Sequence, residues 1–111
     1  MGLDCFWKNS RGQTAKLNRE FKVCNGIESD NGTVSFRGKV YNDLVKSASG
    51  KSLYQEIIDA ETCRHISECL DKFDFDTFEE NYWDIQPDEF EQFKEMFRAH
   101  ISLGHFIVSS W

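Results

Sequence analysis

A chain of 111 residues that is 40% hydrophobic and 14% aromatic has the size and composition of one ordinary domain, able to bury about two-thirds of its unfolded surface. Its net charge of −6 is unevenly spread, with nine Lys/Arg against six Asp/Glu in residues 1 to 56 and four against thirteen in residues 57 to 111. An acidic balance without a dense basic cluster disfavours nucleic acid as a partner, and no apolar run approaches the ~20 residues of a membrane helix, so the expectation is a cytoplasmic protein without membrane contact.

Residues 2 to 8 alternate, with Leu3, Cys5 and Trp7 on one face and Asp4, Phe6 and Lys8 on the other, the period of a strand with one buried side. Residues 9 to 13 read as a turn. A second alternating run spans residues 19 to 24, with Phe21 and Val23 inward, and Asn25-Gly26 ends it. Residues 28 to 32 form a polar loop whose Asn31-Gly32 fits a hairpin turn into a short third strand at residues 33 to 36. At Gly38 the apolar period changes from two to about 3.6, and Val40, Tyr41, Leu44, Val45 and Ala48 then line one helix face until Ser49-Gly50.

Residues 51 to 58 fit either a short strand or a helical turn. Asp59 is an N-cap for a helix through about Lys72, with Ile58 and Cys63 as a hydrophobic staple and Cys63, Ile66, Leu70 and Phe73 inward. A single helical turn is expected over residues 78 to 83, burying Phe78 and either Tyr82 or Trp83. Pro87 fits the first position of a further helix with Phe90, Phe93, Phe97 and Ile101 on its core face and Gly104 as the stop. Phe106-Ile107-Val108 reads as a final strand. This order predicts an α+β domain: a small, mostly antiparallel sheet of three to four strands, covered on one face by about three helices. With the last strand at a sheet edge and Trp111 near the surface, a homodimer is an assembly the sequence allows.

The candidate site with the most chemistry is the strand-to-helix junction Arg37-Gly38-Lys39. A glycine at a helix start leaves room for close approach, and two cations reinforce the free N–H groups there, so a phosphate, a carboxylate or an acidic side chain could be met. The plainer alternative pairs Arg37 with an internal carboxylate such as Asp4 or Asp43. Ser49-Gly50-Lys51-Ser52 imitates the end of a phosphate-binding loop, but the glycine required five residues before Gly50 is Val45, and the tetrapeptide follows a helix instead of a strand. His65 and Cys69 are four apart on one helix face, and His100 and His105 follow later as further zinc-ligand types, but one such spacing is too little for a metal site, so no metal and no cofactor is assigned. Cys5, Cys24, Cys63 and Cys69 contain no CxxC and read as reduced, mostly buried thiols, with a Cys5–Cys24 disulfide as the alternative. Residues 71 to 91 carry nine carboxylates against Lys72 alone, interleaved with Phe73, Phe75, Phe78, Tyr82 and Trp83. Such a segment is either an acidic surface with aromatic anchors or a solvated helix face over core aromatics.

At Met1-Gly2-Leu3-Asp4, at residues 35 to 41 (Ser-Phe-Arg-Gly-Lys-Val-Tyr) and at Ser52-Leu53-Tyr54, the chain resembles small uncharacterised bacterial and phage proteins. These begin with the same tetrapeptide and carry a similar Phe-Arg-Gly-Lys-Tyr segment. The resemblance implies that the junction acts together with Asp4, and it brings no activity with it. The functional expectation is a binding protein without catalysis, recognising a protein partner or a small anionic ligand through Arg37, Gly38, Lys39, Tyr41, Tyr54, Asp4 and Trp7. Two alternatives stand beside it: an enzyme with Asp4 or a histidine as general base and Arg37 as electrostatic clamp, and an acidic inhibitor that holds a basic protein through residues 71 to 91.

Overall fold

A computed structural model describes residues 2 to 24 and 32 to 111. Four strands, β1 (Asp4–Lys8), β2 (Ser35–Arg37), β3 (Ile57–Ile58) and β4 (Phe106–Ser110), form one antiparallel sheet in the order β2-β1-β4-β3. Three helices, α1 (Gly38–Ser49), α2 (Ala60–Lys72) and α3 (Pro87–Ile101), accompany it, so the fold is α+β. Among the described residues no helix is long and apolar enough to cross a membrane.

Alternation in the strands decides which side is covered. Cys5 and Trp7 of β1, Phe36 of β2, Ile58 of β3 and Ile107 of β4 are fully or almost fully buried, whereas Phe6, Lys8, Phe106 and Val108 on the other side keep part of their surface. The helices contribute Tyr41, Leu44 and Val45 from α1, Cys63, Ile66 and Leu70 from α2, and Phe90, Phe93, Met96 and Phe97 from α3 to the same hydrophobic cluster. α2 packs against both α1 and α3. Aromatic rings dominate its centre: Phe93 stacks on Tyr41 at 4.2 Å and meets Phe36 and Phe97 edge-on, at 5.4 and 5.2 Å.

Helix boundaries follow local chemistry. The Asp59 side chain accepts from the Thr62 N–H at 2.8 Å and caps α2, while the Cys63 thiol reaches back to the Ile58 carbonyl. Pro87 opens α3, and Gly50 and Gly104 take positive φ (both 75°) where α1 and α3 give way to the following chain. Gly50 is thus the stop of α1, as its place after the helical period predicts, its N–H given to the Lys46 carbonyl.

Three sequence expectations need correction. The run at residues 19 to 24 is not a strand. Phe21 and Val23 do turn inward, but the backbone groups of this region are met singly: Ala15 N–H by the Trp7 carbonyl, Leu17 N–H by the Thr33 carbonyl, and the Cys24 carbonyl by the Arg37 N–H. Side chains then strap it to α3 through Arg19–Glu95 at 2.9 Å, Lys22–Asp88 at 2.6 Å, and the Lys22 N–H to Gln92. The helical turn expected at residues 78 to 83 is a 3-10 turn at Phe75–Thr77, set earlier because Asp74 caps it; Phe78 is half-buried, and both Tyr82 and Trp83 are exposed. β4 is an inner strand, paired with β1 along its length and with β3 at Ile107 and Val108, so the terminal edge invoked for a homodimer does not exist. The undecided residues 51 to 58 are irregular until β3. Asn25-Gly26 and Asn31 of the expected turns lie outside the described residues.

Candidate functional site

The junction residues part company in space. Gly38 is buried, and a Cβ there would stand 2.6 Å from Cys5 Sγ and 2.8 Å from Leu3 Cδ2, so its lack of a side chain serves close packing of α1 on β1. The Lys39 N–H, one of the helix-start donors, is given to the Leu3 carbonyl at 3.2 Å. Arg37 pairs with Asp4 across the β1–β2 register, its guanidinium lying directly over Gly2 and 4.0 Å from Asp4 Oδ1. That is the internal carboxylate pairing the sequence offered as the plainer alternative. Asp4 is 5% exposed and its Oδ1 has no hydrogen-bond partner among the described residues, so the Arg37 charge 4.0 Å away offsets part of the cost of burying the carboxylate. Arg37, Gly38 and Lys39 therefore do not converge as an anion cradle.

Two further expected contacts, Trp7 and Tyr41, are core residues with no exposed surface. The Tyr41 hydroxyl donates to Glu89 and accepts the Cys24 N–H at 2.7 Å, which ties α1, α3 and the strap together. Burial, then the bond to Glu89, pushes the phenol pKa up, so it remains a donor at any ordinary pH. Tyr41→Phe should lower stability by about 1–2 kcal/mol, since Glu89 loses its donor and the Cys24 N–H its acceptor. Urea denaturation checks this; an unchanged midpoint would mean that water replaces both bonds freely.

Lys39 and Tyr54 do meet. They line a cleft of about 310 Å³ together with Asn42, Asp43, Tyr82 and Trp83. One wall is the first half of α1. A second is the loop carrying Tyr54, fixed because Asn42 Oδ1 accepts the Leu53 N–H at 2.7 Å and Ser52 Oγ accepts the Tyr54 N–H at 3.0 Å. The third is the loop presenting Tyr82 and Trp83, pinned by Asn81, which accepts the Ile85 N–H at 2.8 Å and donates to the Ile85 carbonyl at 3.0 Å. Buried Ile85 anchors the base of that loop. Lys39 Nζ lies 5.7 Å from the centre of the Trp83 ring, and Trp111 meets Tyr54 edge-on at 5.6 Å.

The chain matches no protein family model, no curated protein and no solved structure.

The remaining reactive groups lie elsewhere. His65 Nε2 is 3.6 Å from Cys69 Sγ on the outer face of α2. All four cysteines are free, and burial pushes the Cys5 and Cys63 thiols up to about 12, leaving them inert at neutral pH. Cys24, in contrast to the expectation of mostly buried thiols, is exposed beside Glu89. Among the described residues no group of three or more His, Cys, Asp or Glu is placed to hold a metal ion, and no hydrogen bond or ion pair joins Asp4 to a histidine.

One arrangement has no signal in the sequence. His100 is buried at the end of α3, stacked on Trp7 at 4.1 Å, with Nε2 3.2 Å from the Gly32 carbonyl and Nδ1 2.9 Å from His105 Nδ1. Since a carbonyl only accepts, Nε2 of His100 carries the proton, its Nδ1 is bare, and His105 donates to it. A spacing of five residues across a helix end gives no periodicity from which this pair could be read.

Of the nine carboxylates in residues 71 to 91, four are held internally: Asp71 by Arg98, Asp88 by Lys22, Glu89 by Tyr41 and Glu91 by Lys94. Asp74, Asp76, Glu79, Glu80 and Asp84 form no ion pair among the described residues. The acidic segment is thus part scaffold and part free surface, the free part beginning at the 3-10 turn and ending in the loop of Tyr82 and Trp83.

Proposed function

We propose that this chain is a small interaction protein without catalysis, which recognises a protein partner through the cleft of Lys39, Asn42, Asp43, Tyr54, Tyr82 and Trp83. One observation carries the reading. Of the six large apolar side chains exposed among the described residues, Tyr54, Tyr82, Trp83 and Trp111 gather at this cleft, while Ile57 and Leu103 are the other two. Tyrosine and tryptophan bring large rigid contact area with a polar handle and are the side chains on which protein interfaces concentrate their affinity. The loops bearing them are braced by Asn42 and Asn81, so little ordering entropy remains to be lost on binding. The small-anion version is the less favoured, because the Arg37 guanidinium already faces Asp4 at 4.0 Å and lies apart from Lys39. The enzyme version would need a pocket that holds both Asp4 and Arg37, and neither lines this cleft.

Panning a displayed library of random peptides against the protein tests this. Selected peptides should bind the parent chain and lose at least about tenfold in affinity on Trp83→Ala and on Tyr54→Ala, with Leu103→Ala, at an exposed apolar position outside the cleft, unchanged. Selected peptides indifferent to Trp83 and Tyr54 would place the binding surface elsewhere.

A further inference from the structure

The geometry points to a basic segment of the partner as the occupant of the cleft, with a lysine or arginine side chain seated among Trp83, Tyr54 and Tyr82 and facing Asp43. This deepens the reading just given and rests on it.

The first argument is that the cleft already holds a cation. The Lys39 ammonium is extended over the Trp83 ring at 5.7 Å, although Lys39 is an exposed residue that could point to water. A ring face attracts positive charge through its quadrupole, and tryptophan does so most strongly. Lys39 is an internal occupant of a place that suits an external one. Guanidinium and ammonium groups share that preference, and a partner cation brings with it a chain that also covers Tyr54, Tyr82 and Trp111.

Charge supplies the second argument. Asp43 lines the cleft, and among the described residues it is in no ion pair. The stretch from Asp74 to Asp84 that leads into the Tyr82–Trp83 loop contains five carboxylates and no Lys or Arg. A docking segment therefore meets Lys39 and Asp43 in the cleft itself and, on the loop that carries the two rings, Asp84 next to Trp83 and Glu80 two residues before Tyr82, a surrounding that favours a basic chain over an acidic one. Glu79, Glu80 and Asp84, within three residues of the exposed Tyr82 and Trp83, are in no ion pair among the described residues, whereas Asp71, Asp88, Glu89 and Glu91 have internal partners. A second hollow repeats the pattern: Lys94 sits 4.7 Å over the Phe90 ring beside Glu91, in a depression shared with Asp74 and Asp76.

The test uses three twelve-residue peptides on one Gly-Ser framework, carrying at the same positions Lys and Arg, Asp and Glu, or Leu. The readout is the indole N–H signals of the three tryptophans in ¹⁵N NMR spectra, with buried Trp7 reporting that the core is intact. The basic peptide should move the Trp83 and Trp111 signals but not that of Trp7, and its affinity should fall steeply as salt is raised. Asp43→Asn and Trp83→Ala should each weaken it at least about threefold, and Lys39→Ala should tighten it by a similar factor, because the internal competitor is gone. If the Leu peptide alone moves Trp83, the cleft remains an interface and the basic occupant falls. If the acidic peptide does so, and loses the effect on Lys39→Ala, Lys39 is an anchor for a carboxylate and the inference is overturned. If no peptide moves Trp83 at millimolar concentration, the inference and the interface reading fall together.

Discussion

Trp7→Ala is expected to lower the stability of this protein by about 3–5 kcal/mol, the range for emptying a fully enclosed aromatic site. The indole has no exposed surface and lies against Phe36, Phe97 and His100, its ring 5.0 Å from Phe97 and 4.1 Å from His100. β1 is held on both sides by β2 and β4, so the backbone cannot collapse into the space and most of the cavity should persist. Trp7→Phe should cost markedly less. It keeps an aromatic ring in the stack and removes an indole N–H that has no hydrogen-bond partner among the described residues. Chemical denaturation of both variants separates the contributions; equal losses would show that the outer part of the indole, and not the stacked ring, supports the site.

Acid should unfold the protein through His100. Burial, with the His105 charge adding to it, pushes His100 from the usual 6.5 down to about 3, so the folded chain refuses a proton that the unfolded chain accepts. The native state is therefore fully favoured above pH 6.5 and loses stability as pH falls through the interval down to about 3. The slope is about 1.4 kcal/mol per pH unit, or about 2 kcal/mol between pH 6.5 and 5. His105 shifts down as well, through its own burial, and adds in the same direction. Charging His100 would also set two N–H groups against each other across 2.9 Å and weaken the link that joins α3, the chain before β4 and Gly32. His100→Gln should flatten the pH profile between 7 and 5 whatever its effect on stability at neutral pH. A profile as steep as the parent's would assign the acid sensitivity to other groups.

Much of the secondary structure was legible because it is decided within a few residues. Gly38 begins α1, Asp59 caps α2, Pro87 opens α3, and Gly50 and Gly104 end their helices, each for a reason visible in the backbone chemistry of that position. Alternation placed Cys5, Trp7, Phe21 and Val23 inward. The same alternation over-read residues 19 to 24, because period two records which side chains face the core and not whether a neighbouring strand receives the backbone.

The site was half legible. Lys39 and Tyr54 were singled out, and they share the cleft, but they were joined to Trp7 and Tyr41, which are core, and to Arg37 and Gly38, which serve Asp4 and the packing of Leu3. One of Tyr82 and Trp83 is expected from the sequence to be buried, yet both are exposed, because hydrophobicity alone cannot distinguish an aromatic that fills a core from one that waits at the surface. Asn81, whose two hydrogen bonds to Ile85 turn those rings outward, carries no such message in its identity.

What the amino-acid order determined by itself is thus local: the α+β composition, the helix starts and stops, the inward face of each element and the acidic bias of the second half. Only the tertiary structure decided that the last strand enters the middle of the sheet, that Arg37 faces Asp4, that His105 and His100 are joined by a hydrogen bond, and that Lys39, Tyr54, Tyr82 and Trp83 form one cleft. The physical reason is the same in each case. Capping and periodicity act across three or four residues, whereas these pairings join groups as much as 104 residues apart, as Cys5 and Ser109 do across β1 and β4, and the choice among partners is made by the packing of the whole core.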